Sequence, residues 1–592
     1  MAGERVSGPR SALVRLTEPA FLAAIAAPAA AAALTFFFVV PTLAPGVMTW
    51  DTAEFQTVGP VLGTAHPTGY PSYIILGWLA SIVLQPFGDP AYRMNLLQAV
   101  LAAAAVAGAA GIVQVLTGRR LIALATGLVL ACSQLFWRLS THADPHMFHL
   151  ALVGALFVVL LTWDLRRHSN DPEILGHADR WLVFAAFIFG VAVANHSLAL
   201  LLPPAIGLFV LAADWRVVLR WRTVAACVGV LAGTIVVLFL ELPIRAAMNA
   251  PLVYGHPDTW SGFQYVVLAE QFRGSLSDPF GNLPTKAGQV VDLLTGWLGP
   301  LGVLALVGLG TSLVRRPRYV VLSGLAAVAA CVFAASYANA DIERYYLVPL
   351  FVAITWIGLG AADVVFMLAW VATQFAGRLS PASAETAAAA ATAAPSTAEP
   401  ALPESEPPEG PATPTRGGAS TFGAEWAGRA GWVVLFGEIA VAAAILFSSV
   451  GVVPERRQPQ SAGYPGGVSL ANDTADPAWM EAVLAPVDKG GLPANSVIMS
   501  WWSASTTLWY GQRVLGLRPD IAIIDDSTRV DDNLGTVQDV FNSFLGNRPV
   551  FTIRLPDGVD GMTALGQEYD IKSFALNNGV TIAQVIDRKG SQ

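Results

Sequence analysis

Charged residues are scarce in this sequence. Only 13% of its 592 residues are Asp, Glu, Lys or Arg, whereas soluble domains carry about 25%. Apolar residues make up 54% of the chain, and its mean hydropathy is +0.55. They fall into blocks of roughly 17 to 25 residues, the length that crosses about 30 Å of hydrocarbon. The shortage of charge therefore excludes a soluble globular protein and predicts a polytopic membrane protein.

Cysteine is rare as well, and the three cysteines (Cys132, Cys227 and Cys331) all lie within predicted spans. Their placement predicts neither a disulfide framework nor a metal-ligand pattern. The formal net charge of -8 is accompanied by no basic patch, which excludes a nucleic-acid partner.

Eleven apolar blocks predict transmembrane helices. The first follows Arg5, Arg10 and Arg15 and is too long for a signal peptide. Arginines gather in every second loop, which places the N-terminus in the cytoplasm and the C-terminus outside it. A further apolar run at 68–87 is rich in Gly, Pro and Tyr, which favours a helix lying at the membrane interface. The predicted spans are 18–41, 94–117, 121–138, 147–165, 181–195, 197–213, 223–243, 288–313, 319–338, 345–372 and 431–453.

The predicted fold class is an all-α polytopic membrane protein with about eleven transmembrane helices and a small C-terminal extracytoplasmic α/β domain. That domain is indicated by the strand-like runs SVIMS, IAIID and VFTIRL and by two helical runs between them. The Arg- and Ala-rich composition of the whole chain favours a location in the plasma membrane of a bacterium. The expected divisions are a cytoplasmic tail (1–17), a membrane-embedded module (18–375) whose first outward loop is 42–93, a disordered Ala/Pro/Glu-rich linker (376–428), a last span (429–453) and the domain (454–592).

Two acidic residues occupy the first outward loop. Asp51 and Glu54 are three positions apart, so in a helix they share one face. Such a pair could act as a general base or hold a divalent cation. The alternative is a helix N-terminus in which Thr49 or Asp51 is the cap and Glu54 completes a capping box. The residues alone leave both interpretations open.

Further polar and ionisable residues are predicted on the same outer side, where such groups are costly and usually functional or paired. The histidine spacing at 142–149 fits no standard zinc pattern and favours hydrogen-bonded histidines. Several arginines on one side make an anionic ligand such as a phosphate plausible. The group comprises Arg93, His142, Asp144, His146, His149, Asn195, His196, Arg245, His256, Asp258, Asp341, Glu343, Arg344, Tyr345 and Tyr346.

Several runs carry a resemblance to a known family. They are DTxEF at 51–55, AHPTGYP at 65–71, PAYRMNLLQA at 90–99, GVAVANH at 190–196 and ERYYLVP at 343–349. Together they resemble the membrane family of unassigned function that includes the animal protein O-mannosyltransferase acting on plexin-type receptors. That family belongs to the GT-C glycosyltransferases. The run LPIRAAMNAPLVYGHP at 242–257 also resembles this family, and the run WWSASTTLWYGQRVLGLRPDI at 501–521 resembles it less specifically.

The resemblance implies an inverting transferase that takes a sugar, with mannose as one candidate, from a polyprenyl-phosphate donor to an extracytoplasmic protein or glycan acceptor. It implies Asp51 as the catalytic carboxylate, with Glu54 as its companion. Ala53 replaces the usual Gly, and the Ala143–His146 run also departs from the family. No metal ligand is assigned, and a divalent cation remains an open cofactor. The expected substrate-binding residues are His66, Tyr70, Arg93, Asp144, His146, Asn195, His196, Arg245, Arg344 and Tyr345.

Two other classes of function remain open from the sequence. A transporter or flippase of lipid-linked sugars would use the same ionisable groups, but transporters commonly contain internal repeats, and none is evident here. A receptor or scaffold would tolerate replacement of Asp51. In the C-terminal domain, Trp501, Trp502, Trp509 and Tyr510 either stack on acceptor sugars or build the core of the domain, and the second interpretation is favoured.

Overall fold

The computed structural model describes residues 19–378, 421–553, 562–576 and 579–590. The predicted N-terminal tail and most of the predicted linker lie outside these residues. The described part before the C-terminal domain is a bundle of apolar helices connected by loops and short helical turns. Its α-helices are α1 (Pro19–Val39), α2 (Trp50–Val61), α3 (Pro71–Val83), α4 (Pro90–Thr117), α5 (Arg120–Cys132), α6 (Gln134–Leu139), α7 (Pro145–Arg167), α8 (Pro172–Gly176), α9 (Asp179–Asn195), α10 (Pro203–Asp214), α11 (Trp221–Phe239), α12 (Glu241–Ala247), α13 (Trp260–Val267), α14 (Leu283–Leu298), α15 (Gly302–Arg315), α16 (Pro317–Ser336), α17 (Leu347–Arg378), α18 (Thr421–Val450) and α19 (Val453–Arg456).

Eight helical segments of the described chain are long and apolar enough to cross a membrane. The other three predicted spans correspond to α5, α9 and α10, which have 13, 17 and 12 residues. The helical membrane fold is therefore confirmed, while the count of eleven spans and the direction of the chain stay predictions. The eight segments are Ile25–Thr42, Pro90–Thr117, Pro145–Arg167, Trp221–Ala247, Leu283–Arg315, Pro317–Ser336, Ile342–Ala372 and Trp432–Arg456.

Helix α3 covers most of the apolar run for which the sequence predicts an interfacial helix. Its 13 residues extend about 20 Å, which is shorter than the hydrocarbon core of a bilayer. The length fits a helix that lies along one boundary of the membrane rather than one that spans it.

Glycines allow two pairs of helices to approach closely. A Cβ added to Gly108 of α4 would lie 2.8 Å from the Cα of Gly154 in α7, and one added to Gly308 of α15 would lie 1.9 Å from the carbonyl oxygen of Trp356 in α17. Small residues at such crossings let helices pack without a hydrophobic driving force between them. These crossings hold together the helices that begin next to Asp144 and Arg344.

The arginine-rich end of the bundle is held by ion pairs. Asp363 accepts hydrogen bonds from Arg315 at 2.8 Å and Arg316 at 2.8 and 3.0 Å. Arg220 similarly bridges Asp179 and Asp214, at 2.8 and 2.7 Å. These guanidinium groups join the helix ends opposite the predicted outward loops. The candidate site residues therefore lie at the other end of the bundle.

The C-terminal domain is a small α/β unit with a five-stranded sheet in the order β2-β1-β3-β5-β4. Strands β2, β1 and β3 are parallel, with Val497 paired to Ala522 and Val550, while β4 and β5 form an antiparallel edge. The α/β prediction is confirmed, although the sequence reading did not include the last two strands. The elements are α20 (Ala475–Val483), β1 (Val497–Ser500), α21 (Trp502–Trp509), β2 (Ala522–Asp525), α22 (Thr528–Asp531), α23 (Val537–Phe544), β3 (Val550–Ile553), α24 (Met562–Glu568), β4 (Tyr569–Ala575) and β5 (Thr581–Arg588).

The domain packs directly on the first outward loop. The Tyr510 hydroxyl accepts a hydrogen bond from the backbone N–H of Ala91 at 3.0 Å and donates one to Asp89 at 3.1 Å. Thr507 donates to the backbone carbonyl of Met48 at 2.7 Å. Val47 and Ala91 of the loop share one apolar cluster with buried residues of the sheet. Helix α21, which follows β1 at the carboxyl edge of the parallel strands, therefore lies against the candidate site.

Candidate functional site

Asp51 lies in the first turn of α2, with its carboxylate about one-third exposed. One oxygen accepts a hydrogen bond from the indole N–H of Trp502 at 2.9 Å, and the other lies 3.5 Å from a guanidinium nitrogen of Arg344. The N-cap residue Thr49 makes no side-chain capping bond, and Glu54 hydrogen-bonds elsewhere. Thr49 thus occupies the N-cap position that the helix-capping alternative predicts, but no capping box forms, and the carboxylate of Asp51 faces side chains from distant parts of the chain.

Glu54 is buried and holds the loop that follows α2. Its carboxylate accepts the backbone N–H of His66 at 2.8 Å and also contacts the Nδ1 atom of the His66 ring. The other ring nitrogen lies 3.1 Å from the Tyr70 hydroxyl. Burial raises the pKa of Glu54. Burial alone would lower the pKa of His66, but the Glu54 carboxylate outweighs it and raises that pKa. Burial thus favours the protonated form of Glu54, and the Glu54 carboxylate favours the protonated form of His66.

This pair predicts a pH dependence of stability. The pKa of His66 is raised above 6.5 in the folded chain, so its contribution is complete below that pH and is lost as the pH rises through the raised value. As the pH rises above 6.5, the thermal unfolding midpoint of the wild type should therefore fall more steeply than that of His66→Gln. Midpoints measured in one detergent across this range test the prediction. Parallel slopes for the two proteins would contradict it.

Arg344 links Asp51 to a second carboxylate. Its Nη1 atom lies 3.4 Å from Asp144, whose other oxygen accepts the backbone N–H of His146 at 2.7 Å and lies 2.8 Å from the His146 ring. Burial alone would raise the pKa of Asp144, but His146 and Arg344 outweigh it and hold the pKa well below its ordinary range. Asp144 therefore remains ionised and anchors the guanidinium group.

Rings from four separate segments gather beside this ion pair. The His146 ring lies 4.8 Å from that of His196 and 5.1 Å from that of Tyr345, and the Tyr70 ring lies 5.3 Å from His196. Asn195 donates to the carbonyl of Pro145 at 3.1 Å. The structure thus brings together eight of the residues for which the sequence predicts substrate binding: His66, Tyr70, Asp144, His146, Asn195, His196, Arg344 and Tyr345.

Buried polar atoms in this group lack partners within the described residues. They are Nε2 of His146, Nδ1 of His149 and Oδ1 of Asn195. An unsatisfied buried polar atom costs about 1–3 kcal/mol, so a ligand that carries hydroxyl groups would find ready hydrogen-bonding partners here. His149 is not among the residues singled out as substrate-binding from the sequence.

Two predicted phosphate-binding arginines are not brought to Asp51. The Arg245 guanidinium donates to the backbone carbonyls of Val61 and Leu62, at 3.3 and 2.7 Å. Arg93 donates to the carbonyls of Ser81 and Gly88. Arg245 therefore fixes the C-terminal end of the helix that carries Asp51 and Glu54, while Arg93 closes the turn after α3.

Trp502 contributes to the site from the C-terminal domain. Besides donating to Asp51, its ring lies 5.9 Å from the rings of His66 and Tyr254. Trp509 and Tyr510 are buried. The aromatic run therefore builds the junction of the domain with the membrane-embedded module, and Trp502 completes the surroundings of Asp51. Trp502 and Asp51 are 451 residues apart in the sequence, and no local sequence pattern predicts their contact.

Among the described residues, no three His, Cys, Asp or Glu side chains are grouped so that they could hold a metal ion. The histidines of the site instead contact one another, Asp144 and tyrosine rings.

Comparison with known proteins bears on these residues directly. Residues 51–219 match the family described as protein O-mannosyl-transferase TMEM260 N-terminal domain. The predicted family resemblance is confirmed. The protein O-mannosyl-transferase TMEM260 of Mus musculus is 29% identical over 172 residues, which are 29% of this chain and 23% of the mouse protein. This chain thus aligns with less than a quarter of that relative.

Similarity of fold to a solved structure extends over more of the chain than the family match does. ArnT from Cupriavidus metallidurans, whose crystal structures are of the apo state and of a complex with undecaprenyl phosphate, superposes with a TM-score of 0.51 and 16% identity. The superposition covers 93% of this chain and 96% of ArnT. The chain accordingly shares the fold of ArnT, which confirms the predicted GT-C-like helical fold.

Proposed function

We propose that this chain is an inverting glycosyltransferase that moves a sugar from a polyprenyl-phosphate donor to an extracytoplasmic hydroxyl group. The observation that carries the proposal is the position of the Arg344 guanidinium between the carboxylates of Asp51 and Asp144. Glycosyl transfer from a lipid phosphate needs a base that takes the acceptor proton and a cation that balances the charge on the leaving phosphate. Asp51 and Arg344 could supply these two groups side by side. The O-mannosyltransferase relative and the ArnT complex with undecaprenyl phosphate support this class of donor and mannose as the first sugar to test.

In the proposed reaction, Asp51 takes the proton of the acceptor hydroxyl. The acceptor oxygen forms a bond to the anomeric carbon while the bond from that carbon to the phosphate oxygen breaks. The electron pair of the broken bond stays with polyprenyl phosphate, and attack from the opposite side inverts the anomeric configuration. The charge that develops on the phosphate is balanced by Arg344, whose Nε lies 3.5 Å from Asp341 and makes no hydrogen bond within the described residues. Asp144 keeps that guanidinium in place.

An apolar groove offers a route for the lipid. A cavity of about 600 Å³ lies between α11, the turn at 197–200 and α13, and it is lined by Phe239, Leu240, Trp260 and Phe263 among others. Thr68, two residues after His66, forms part of its wall. A chain of isoprene units could occupy this groove with its phosphate directed towards the His196 and Arg344 group.

The direct experiment assays the purified full-length chain with a panel of polyprenyl-phosphate sugars, headed by polyprenyl-phosphate mannose, and with peptide and glycan acceptors. We expect Asp51-dependent release of polyprenyl phosphate together with a glycosylated acceptor of inverted anomeric configuration. Movement of intact donor across proteoliposomes, with no sugar transferred to any acceptor, would instead identify a flippase.

Trp502→Phe tests the contact between the two modules. Phenylalanine keeps an aromatic ring but removes the N–H that binds Asp51, and a hydrogen bond to a charged group contributes about 1.5–3 kcal/mol. We expect kcat to fall about tenfold with little change in the donor KM. Trp501→Phe is the matched control, because the Trp501 N–H binds Ser503 of its own domain. Equal kcat values for the two variants would show that the Trp502 bond does not act on the reaction.

A further inference from the structure

An apolar crevice opens on the outside of the bundle, between α10 and α16. Its volume is about 460 Å³. Leu208 and Leu325, on its two walls, are 51% and 37% exposed, and α16 is one of the candidate membrane spans. The crevice therefore faces the lipid and not the interior of the bundle. It is lined by Leu208, Ala212, Val320, Val321, Gly324 and Leu325.

The crevice begins at the arginine-rich end of the bundle. Ala212 lies in the last turn of α10, and Val320 lies near the start of α16. Helix α16 has 20 residues, which extend about 30 Å. Just beyond its other end, the ring of Tyr337 lies 5.2 Å from that of Tyr345 in the candidate site. The crevice is thus about one bilayer thickness away from that site, in the opposite leaflet, and it shares no lining residue with the groove proposed for the donor lipid.

Two arginines lie at this end of the crevice. Arg216 lies just beyond α10, and its guanidinium is 5.8 Å from the centre of the Trp215 ring. That guanidinium makes no hydrogen bond or ion pair within the described residues. Arg318 precedes Val321 by three residues, which places both on one face of α16, and among the described residues only its Nη1 atom is bonded, to Asp164 at 2.8 Å. Both side chains therefore keep N–H donors that an anion can bind.

We infer that the crevice and these two arginines bind an anionic phospholipid, with an acyl chain in the crevice and the phosphate on the guanidinium groups. Hydrocarbon surrounds a membrane span, so an acyl chain is the apolar group that reaches the crevice. The Trp215 ring is 60% exposed, and indole rings gather at the level of the lipid headgroups. A guanidinium pairs well with a phosphate at that level. The inference goes beyond the proposed function, because this lipid is not a reactant.

Gly324 allows the crevice to be filled without disturbing the helices. A Cβ added to it would lie 3.9 Å from a methyl group of Val320 and would meet nothing else within 4 Å. The ring of a Gly324→Phe variant would therefore occupy the crevice. Gly310 of α15 offers a matched control, because it is exposed, lies outside the crevice and has no neighbour within 4 Å of an added Cβ.

The experiment titrates the purified full-length chain with phosphatidylglycerol or phosphatidylcholine of the same acyl chains and counts bound lipid by native mass spectrometry. For the wild type we expect tighter binding of phosphatidylglycerol. Arg216→Gln should weaken the binding of phosphatidylglycerol about fivefold, the effect of one basic residue near anionic lipid, and leave that of phosphatidylcholine unchanged. Gly324→Phe should weaken the binding of both lipids, and Gly310→Phe that of neither.

Arg222→Gln is the matched control for the charge. Arg222 contacts Trp221 in the same way, at 5.5 Å, but it lies on α11, which does not line the crevice. Equal weakening in Arg216→Gln and Arg222→Gln would reflect a general attraction to the membrane surface and would overturn the site. Unchanged lipid binding in a folded Gly324→Phe variant overturns the crevice as the place of the acyl chain. Displacement of bound phosphatidylglycerol by an equal concentration of polyprenyl-phosphate mannose would identify the occupant as the donor and overturn the resident phospholipid.

Discussion

Replacing Asp51 with Asn is expected to lower sugar transfer about 10³-fold, the scale of a lost general base. The amide keeps the shape of the side chain, and its oxygen can still accept the hydrogen bond from Trp502, which in the wild type measures 2.9 Å. It cannot take up the proton of the acceptor hydroxyl. Initial rates with a fixed donor and acceptor give the effect directly.

Binding and folding should survive this replacement. The Asp51 side chain is about one-third exposed, so the thermal unfolding midpoint should change little, and binding of polyprenyl phosphate should persist. Asp488→Asn, an exposed carboxylate of the C-terminal domain, provides a matched loss of charge that leaves the rate unaltered. Full transfer by Asp51→Asn would remove the proposed base, and loss of lipid binding would show that Asp51 acts on the donor instead.

The sequence was sufficient to locate the site at one end of the bundle. Hydropathy determines where the chain can cross a membrane, and the arginine pattern divides the loops into two groups. Asp51, Asp144 and Arg344 all fall in one of these groups, and the structure brings their charged atoms to within 3.5 Å of one another in two pairs. Residues of one loop lie on the same side of the membrane, so the helix ends that flank the loop lie on that side as well.

The partners of individual arginines could not be predicted in this way. Arg93 and Arg245 share the sequence features of Arg344, since each lies in an outward segment near apolar helices. Their guanidinium groups bind backbone carbonyls, because local helix ends present unpaired acceptors within reach. Of these three arginines only Arg344 lies beside carboxylates, those of Asp51, Asp144 and Asp341. The acceptor to which a guanidinium group binds depends on distances in the folded structure, and these cannot be read from the composition of the sequence.

In the C-terminal domain too, the sequence predicts only part of the structure. The parallel strands were predictable because β1 and β3 are apolar and buried along their length. Strands β4 and β5 carry polar and charged residues and are largely exposed, so neither run has the pattern of a buried strand. The contact of Trp502 with Asp51 joins two modules that are separated by the whole bundle in sequence, and no local pattern marks it.

Arg344→Gln is expected to reduce both stability and transfer. Asp144 is buried, so loss of its guanidinium partner should destabilise the fold by about 3 kcal/mol, which thermal unfolding in detergent measures. Transfer should fall about 10²- to 10³-fold, because the charge developing on the leaving phosphate loses its cation. Arg344→Lys retains the charge but not the planar guanidinium group with its several donors, and it should recover only part of either loss.

The double variant Asp144→Asn/Arg344→Gln separates the two effects. Removing the buried carboxylate together with its partner should restore most of the lost stability, because no unpaired charge remains. Transfer should stay as low as in Arg344→Gln, since the cation beside Asp51 is still missing. If the double variant recovered transfer along with stability, Arg344 would be a structural partner of Asp144 and the phosphate would have to be balanced by another group.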